Sequence, residues 1–536
     1  MTATIETLLL LLAVLVVVAL AARRLRTAPS VLLVIAGVAL AFVPGLPSLE
    51  LAPELVLLGM LPPLIYSAGV AMSWREFRFN LRPISLLAVG CVVFSTCAVA
   101  MAAHWLLGMP VAVAFMLGAI VAPPDVVAPL AIARPLGLPR RLLVVLEGEG
   151  LANDATALII YRFAIAAIST GMFSFAKASG VFLLIVVGEI AWGIVAGWIS
   201  LRLRRWAGDP RVEITLSLMT PYLAFLVPEQ FGGSGVLATV CCGLFVSWNG
   251  PLLIRSATRL QGIFFWDLVI YLLEGFIFLL TGLQVRAVVE RANSFPLGEI
   301  VLGVLIVMSV LIAARFIWVF PAIYMPRWLS PALARRDPSP PWQWTFLIAF
   351  VGVRGVVSLA AALAIPLTIA SGAPFPYRDQ VLFITFGVIL MTLVGQGLLL
   401  PIVVRWLGLA RDRATEHVRE HEAELTARWE ALELARGRIE ALGANANIPP
   451  EVITTLLSHQ SYRAGRLPRS SSEGIEAAHL TADLRGELIN AERELIYKML
   501  QDGRITDESR RRIERELDLE EAIIASKMRG APEQPL

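Results

Sequence analysis

Long apolar runs follow one another through the first 407 residues of this 536-residue chain. A helix needs about 20 mostly apolar residues to cross a bilayer. By this rule we predict an all-α polytopic membrane protein with about 13 transmembrane helices. The approximate limits of the segments are 5–22, 29–44, 54–71, 83–107, 111–132, 141–169, 178–203, 212–230, 234–248, 262–285, 297–325, 342–370 and 379–407.

Composition agrees with a membrane protein, since 57% of the residues are hydrophobic and only 16% are charged. Soluble domains carry about 25% charged residues. The four cysteines fall inside apolar runs, where they behave as small hydrophobic residues and indicate neither a disulfide framework nor a metal site. The net charge of +3 does not indicate nucleic-acid binding, because the arginines fall in short clusters.

These arginine clusters occupy alternate loops between the predicted segments, and the intervening loops carry almost no Lys or Arg. The positive-inside rule places the arginine-rich loops in the cytoplasm. An odd number of spans then puts the N-terminus outside a cell (inner or plasma) membrane and the C-terminal tail in the cytoplasm. The clusters are Arg23/Arg24/Arg26, Arg75/Arg78/Arg82, Arg134/Arg140/Arg141, Arg202/Arg204/Arg205/Arg211, Arg255/Arg259 and Arg327/Arg335/Arg336.

The pattern changes after residue 410. Residues 411–536 contain 19 Lys and Arg and 24 Asp and Glu, against 26 and 18 in residues 1–410. Charged and apolar residues alternate there at helical spacing, which predicts a helical cytoplasmic tail. A catalytic domain is disfavoured, because the tail contains no nucleophile or metal-ligand cluster. We therefore divide the chain into a transmembrane domain, 1–410, and a tail, 411–536, and expect no cofactor.

Segment six contains the polar stretch "EGEGLANDA". Helical spacing places Glu147 and Asp154 on one face and Glu149 and Asn153 on another. No Lys or Arg is close in sequence, since Arg162 lies two turns beyond. Unpaired carboxylates beside an amide oxygen suit a small hard cation or the proton that replaces it. Spacing alone does not show which acid binds.

Segments five and twelve carry helix-breaking residues at mid-membrane. Pro123 and Pro124 remove two backbone donors directly before Asp125, and glycines flank Arg354 in "GVRGVVSLA". Broken helices at this depth are typical of transporter sites. Arg354 either pairs with Glu274 of segment ten and locks two helices, or tunes the nearby carboxylates. Inverted-topology repeats, roughly segments 1–6 and 8–13, would bring the two breaks together beside the acids of segment six.

Three further features have a structural interpretation. Arg315 and Glu189 are each expected to stabilise helix packing. The Gly193-to-Gly197 spacing is typical of close helix contact and suggests a dimer.

The motifs together resemble the sodium/proton antiporter family, in the cation–proton antiporter branch that includes bacterial exchangers and animal sodium/hydrogen exchangers. The resemblance covers the whole membrane block and not the tail. It is carried, in order, by "LPPLIYSAG", "PDVVAPLAI", "EGEGLANDA", "LLEGFIFLLTGL", "GVRGVVSLA" and "VGQGLLLPIVV".

The resemblance implies roles that spacing left open. Asp154 would be the carboxylate that binds cation and proton, with Asn153 as its partner. Glu149 and Asp125 would complete the site, and Asp154 and Asp125 would hold the transported Na⁺. Arg354 matches the arginine of the family's G-x-R-G motif and would support the site.

Other residues depart from the family pattern or become supporting. Pro124 stands where the family usually has Thr, Gly150 replaces a hydroxyl residue, and Ser67 occurs where relatives often carry an acid. These departures concern ion preference. Glu147 and Glu274 are supporting residues, as is Pro124.

The resemblance implies a homodimeric transporter that exchanges Na⁺ (or Li⁺) for H⁺ by alternating access, electroneutral at one-for-one, with a role in pH homeostasis. A K⁺/H⁺ antiporter on the same scaffold and a passive cation channel are alternatives. An intramembrane hydrolase is a further alternative, but it needs a nucleophile or a histidine-rich ligand set. His104 is the only histidine before the tail.

Overall fold

A computed structural model describes most of the chain, and the secondary structure of the described residues is almost entirely helical. The isolated bridge between Thr368 and Pro374 is the one strand-like pairing within them. The described residues are 2–25, 28–44, 52–125, 127–133, 136–170, 175–292, 296–369, 372–443, 448–465, 475–502 and 504–529.

The chain divides into two compact units, Met1–Ala410 and Arg411–Leu536. The long polar helices of the second unit carry charge pairs one turn apart, such as Arg428–Glu424. Arg493 joins two of these helices through Asp518 at 2.6 Å and Glu521 at 2.5 Å. The helices are α20 Ala410–Gly443, α21 Pro450–Gly465, α22 Ile475–Gln501 and α23 Asp507–Arg529.

The first unit is the membrane block. Three of its helices begin or continue as π-helical turns, at Leu55–Met60, Leu86–Cys91 and Thr392–Gln396. The α-helices are α1 Thr2–Leu25, α2 Pro29–Ala41, α3 Leu61–Ala71, α4 Trp74–Phe79, α5 Leu81–Ser85, α6 Val92–Leu107, α7 Val111–Val121, α8 Val127–Ala133, α9 Arg140–Thr170, α10 Phe175–Ala207, α11 Pro210–Gln230, α12 Val236–Leu253, α13 Ser256–Ala292, α14 Leu297–Leu329, α15 Pro331–Arg336, α16 Trp342–Phe350, α17 Val356–Leu363, α18 Arg378–Met391 and α19 Gly397–Trp406.

Eight helical stretches in the described residues are long and apolar enough to cross a membrane, and three shorter apolar helices accompany them. The protein is therefore a multi-pass membrane protein, as predicted. Each predicted segment contains a helix or a broken pair of helices. The count of thirteen crossings and the inverted repeats stay predictions, because length and composition alone identify fewer spans.

The membrane helices pack in two groups, with much denser contacts within each group than between them. One group contains α1–α3 and α10–α13, in which α2 lies along α13 and α12 packs between α3 and α10. The other contains α6–α9, α14 and α16–α19. Helix α9, which carries the acidic stretch of segment six, contacts both α7 of its own group and α12 of the other.

The glycines predicted to mark a close helix contact do so within the chain. A Cβ on Gly193 would lie 2.3 Å from the carbonyl oxygen of Ala238, and one on Gly197 would lie 2.9 Å from the Phe245 ring. These glycines let α10 approach α12, so this spacing gives no support to a dimer. A pattern of small residues cannot distinguish a partner helix in the same chain from one in a second copy.

Glu189 has the structural role predicted for it. Its carboxylate is buried and accepts hydrogen bonds from the backbone N–H groups of Ser234 at 2.6 Å, Gly235 at 3.1 Å and Leu237 at 3.0 Å. These donors belong to the first turn of α12 and the residues before it, where backbone N–H groups have no partner inside the helix. The negative charge thus caps α12 from the neighbouring helix α10.

The two predicted helix interruptions are present. Helix α7 ends at Val121 and α8 begins at Val127, with Pro123 and Pro124 between them. Helix α16 ends at Phe350 and α17 begins at Val356. Segments five and twelve therefore each consist of two half-helices joined by a short non-helical stretch.

Candidate functional site

The two non-helical stretches, 122–125 and 351–355, meet and bond to each other at a place that we call the crossing. The backbone N–H of Asp125 donates to the carbonyl oxygen of Val353 at 2.7 Å. In return, the Arg354 guanidinium donates from Nε to the Val121 carbonyl at 2.8 Å and from Nη2 to the Ala122 carbonyl at 3.3 Å. Backbone groups freed inside a membrane need protein or water partners. Each broken helix supplies such partners to the other.

Arg354 is almost fully buried and acts here as a donor to backbone. A third hydrogen bond of the Arg354 side chain goes to the Gly352 carbonyl. The backbone N–H of Arg354 donates to the Thr392 hydroxyl at 3.1 Å. Of the two alternatives that the sequence left open for Arg354, the pair with Glu274 is not among its contacts within the described residues. Glu274 is half-buried on α13. The sequence showed both charges but not the carbonyls that the broken helices expose.

Glu149 forms a two-pronged ion pair with Arg315 of α14. The Arg315 Nη1 lies 2.6 Å from Oε1 and its Nη2 lies 2.9 Å from Oε2, and both side chains are buried. Arg315 Nε also donates to the Ile348 carbonyl at 3.0 Å. Glu149 is thus not the unpaired carboxylate that we expected. The reason is that its partner lies 166 residues away along the chain, so local spacing could not show it.

The helix faces predicted for segment six are confirmed. Glu149 and Asn153 are fully buried, whereas Glu147 and Asp154 on the other face of α9 are half-buried. Asn153 Nδ2 donates to the Pro124 carbonyl at 2.6 Å, which joins α9 to the break in segment five. Its Oδ1 has no hydrogen-bond partner within the described part of the chain.

Asp154 lies next to the crossing without a basic partner. Within the described ranges no Lys or Arg pairs with Asp154 or with Asp125, and the two carboxylates interact electrostatically with each other. One oxygen of Asp125 accepts the Val127 N–H at 2.9 Å at the start of α8. Two acids beside two broken helices, with no basic partner among the described residues, are a candidate site for a mobile cation or a proton.

Asp154 opens into a cavity of about 10 Å³ between α7, α9 and α17. This is the space of about one water molecule. The residues that line it include Tyr161 and Ser358, which carry hydroxyl groups and which the sequence analysis did not single out. A serine three residues after the glycine of "RG" and a tyrosine seven residues after Asp154 are the only signals, and both are ordinary in apolar helices.

The structure thus brings Asp154, Asn153, Asp125 and Pro124 together, with Arg354 holding the crossing. Glu149 lies on the opposite side of α9, and Glu147 lies two turns before Asp154. The roles assigned to these residues from the family resemblance stay predictions.

Gly355 is required at the crossing, because a Cβ there would lie 2.3 Å from Oδ2 of Asp125 and 2.5 Å from its Cγ. We expect Gly355→Ala to destabilise the protein by about 1–3 kcal/mol through overpacking. The control is Gly395→Ala, since nothing lies within 4 Å of a Cβ at that position. Thermal unfolding of both purified variants in detergent measures the difference, and equal midpoints would contradict the predicted clash.

The family model described as "Sodium/hydrogen exchanger, transmembrane" matches residues 10–406. An uncharacterized Na(+)/H(+) exchanger of Mycobacterium tuberculosis is 32% identical over 508 residues, which cover 93% of this chain and 92% of the relative. A sodium, potassium, lithium and rubidium/H(+) antiporter of Bacillus pumilus is 34% identical over 379 residues, covering 68% of this chain and 56% of the relative.

A solved structure has the same fold. The sodium proton antiporter MjNhaP1 from Methanocaldococcus jannaschii at pH 8 superimposes with a TM-score of 0.60 and 18% identity, covering 75% of this chain and 98% of that one. At this identity the likeness shows the fold alone.

Proposed function

The chain belongs to the sodium/hydrogen exchanger family, and we propose that within this family of cation/proton antiporters it exchanges Na⁺ or Li⁺ for H⁺ at Asp154. The relatives are transporters, so the chain is not an enzyme and the hydrolase alternative is excluded. The observation that carries the proposal is the position of Asp154, a half-buried carboxylate beside two crossed half-helices without a basic partner in the described residues.

The mechanism that we propose is competition. A carboxylate held away from water is costly as a free charge, so it binds either a proton or a metal cation. Each occupant neutralises Asp154, and the site changes its exposure from one side of the membrane to the other only in a neutralised state. Asp125 supplies a second carboxylate for the cation, and Asn153 fixes α9 against the break in segment five through the Pro124 carbonyl.

Further parts of the proposal follow from the family resemblance and the charge pattern. They are electroneutral one-for-one exchange by alternating access, a homodimer in the cell membrane, an outside N-terminus with a cytoplasmic tail, and a contribution to pH homeostasis. The inward proton gradient would then drive Na⁺ out of the cell. No cofactor is part of this scheme.

The rival within transport is K⁺/H⁺ exchange, which is favoured by the Bacillus pumilus relative, since that protein is a sodium, potassium, lithium and rubidium/H(+) antiporter. Proteoliposomes with an internal pH dye, given Na⁺, Li⁺ or K⁺ in parallel, separate the two. Proton movement with Na⁺ and Li⁺ but not K⁺ supports the proposal, and a K⁺ response of equal size overturns the preference. Cation uptake with no proton movement would indicate a channel. A rate that is unchanged by an imposed membrane voltage supports electroneutrality.

Competition at one carboxylate makes a definite prediction about pH. Because the proton and Na⁺ bind the same deprotonated group, the apparent KM for Na⁺ should rise as the pH falls, by about tenfold per pH unit at the acidic limit. The maximal rate at saturating Na⁺ should change little over the same range. Initial rates in proteoliposomes at several pH values test this. A KM that is constant while the maximal rate changes would mean that the proton acts at another group.

A further inference from the structure

We infer that the hydroxyl groups of Ser358 and Tyr161 bind the transported cation beside Asp154, and that Ser358 helps to set the preference for small cations. This inference rests on the proposed function. It adds two neutral oxygen ligands to a site so far built only from acids and an amide.

The residues that carry these groups line one cavity together with Asp154. It is lined by residues of three helices, with a volume of about 10 Å³. Tyr161 lies two turns beyond Asp154 on α9, and Ser358 lies in the first turn of α17. The lining residues are Ala119, Ile120, Pro123, Asp154, Ala157, Leu158, Tyr161, Val357, Ser358 and Ala361. Apart from Asp154, Tyr161 and Ser358, the side chains in this set are apolar.

Ser358 is 3% exposed and forms no side-chain hydrogen bond within the described residues. A serine inside a helix normally satisfies its hydroxyl with a carbonyl of the preceding turn. Ser217 does so with the Ile214 carbonyl at 2.6 Å. Ser200 instead bonds to Thr220 at 2.7 Å. The oxygen of Ser358 is therefore available to a ligand that enters the cavity.

Tyr161 shows the same feature. Its side chain is 8% exposed, and its hydroxyl has no hydrogen-bond partner in the part of the chain that the structure describes. Other buried hydroxyls there are also unpartnered, namely those of Ser30, Thr96, Thr385 and Thr258. None of these four lines the cavity of Asp154. The coincidence of a carboxylate and two unused hydroxyls in one cavity therefore distinguishes this place from the rest of the bundle.

Oxygen is the ligand type that hard cations prefer, and cavity size and ligand number set the choice between them. A cavity of this volume holds a small cation without its water shell, and fixed hydroxyl oxygens replace part of that shell. Because Ser358 belongs to α17 and Asp154 to α9, one ion would contact both the acidic helix and the second broken helix. Binding or release of the ion would then change the contacts of both α9 and α17.

The experiment compares Ser358→Ala and Tyr161→Phe, which each remove only a hydroxyl, with Ser200→Ala as the matched control. Ser200 is equally buried but bonds to Thr220 outside the cavity. We expect Ser358→Ala to raise the KM for Na⁺ and Li⁺ about tenfold, the effect of losing one ligand to a charged group. The KM for K⁺ should rise less, so the Na⁺-to-K⁺ preference falls. Tyr161→Phe should shift KM in the same direction, and Ser200→Ala should not.

Proteoliposomes reconstituted with equal amounts of monodisperse protein give KM and maximal rate for each ion. KM values within twofold of wild type for both variants would overturn the inference, as would a fall in maximal rate that is equal for Na⁺, Li⁺ and K⁺ at constant KM. If wild type itself shows no cation-driven proton movement, the proposed function fails. If wild type exchanges normally and both hydroxyl variants have the KM values of wild type, the proposed function stands and this inference alone is lost. Tyr161→Phe decides the outcome if Ser358→Ala does not fold.

Discussion

Asp154→Asn is expected to reduce cation-driven proton movement to the level of protein-free liposomes. Asparagine has nearly the same size and fills the same place on α9, but it neither releases a proton nor offers a negative charge to a cation. Asp154 is the one carboxylate among the residues that line the cavity of about 10 Å³, so no second acid in the lining can take its place. Abundance in the membrane and monodispersity in detergent should match wild type, because Asp154 belongs to no ion pair in the part of the chain that the structure describes.

The matched control for this change is Asp379→Asn. Asp379 lies in the first turn of α18 with its side chain half exposed, outside the cavity. The Asp379→Asn variant should retain proton exchange with Na⁺, Li⁺ and K⁺ at the rates of wild type. Normal exchange by Asp154→Asn would show that Asp154 is not the carboxylate that binds cation and proton. Loss of exchange in both variants would show that replacing either aspartate abolishes transport, so the effect would not be specific to Asp154.

Arg315→Leu is expected to destabilise the protein by about 3–5 kcal/mol, because it leaves the carboxylate of Glu149 buried and uncompensated. Both members of this pair are nearly inaccessible, at 3% and 0% side-chain exposure. The exposed pair Arg286–Glu290, with 41% and 62% exposure, is the control. The loss of this exposed pair in Glu290→Gln should lower the free energy of unfolding by less than about 1 kcal/mol, because water screens surface pairs. Thermal unfolding of the purified proteins measures both changes.

A double variant separates structure from transport at Glu149. Glu149→Gln combined with Arg315→Leu leaves no uncompensated charge, so much of the lost stability should return. If Glu149 acts only through its pair, the double variant should also exchange cations at a measurable rate. A stable double variant with no exchange would instead support the cation-binding role that the family resemblance implies for Glu149.

The sequence predicted the features that depend on local pattern. Apolar length gave the membrane helices, and the proline and glycine positions gave both broken segments. The 3.6-residue period correctly separated the buried face with Glu149 and Asn153 from the face with Asp154. These features follow from the covalent neighbours of each residue, which a sequence displays directly.

Features that depend on contacts between distant segments were not predictable in the same way. The sequence offered several charged partners for each acid, and it left open whether Arg354 pairs with Glu274 or tunes the carboxylates. It did not show that Arg354 donates to the backbone carbonyls of Val121 and Ala122. The pairing of Glu149 with Arg315 and the unused hydroxyl of Ser358 likewise appear only when four helices are brought together. Neutral hydroxyls give no signal in an apolar run, so sequence patterns pass over them.

The mutual bonding of the two broken helices has a consequence for biogenesis. During synthesis, residues 121–125 enter the membrane more than 220 positions before residues 352–355 leave the ribosome. Until then the Val121 and Ala122 carbonyls and the Asp125 amide lack the partners that they have in the folded protein. A nascent chain arrested before Val353 should therefore be recognised by membrane proteases, whereas one arrested after Gly397 should persist.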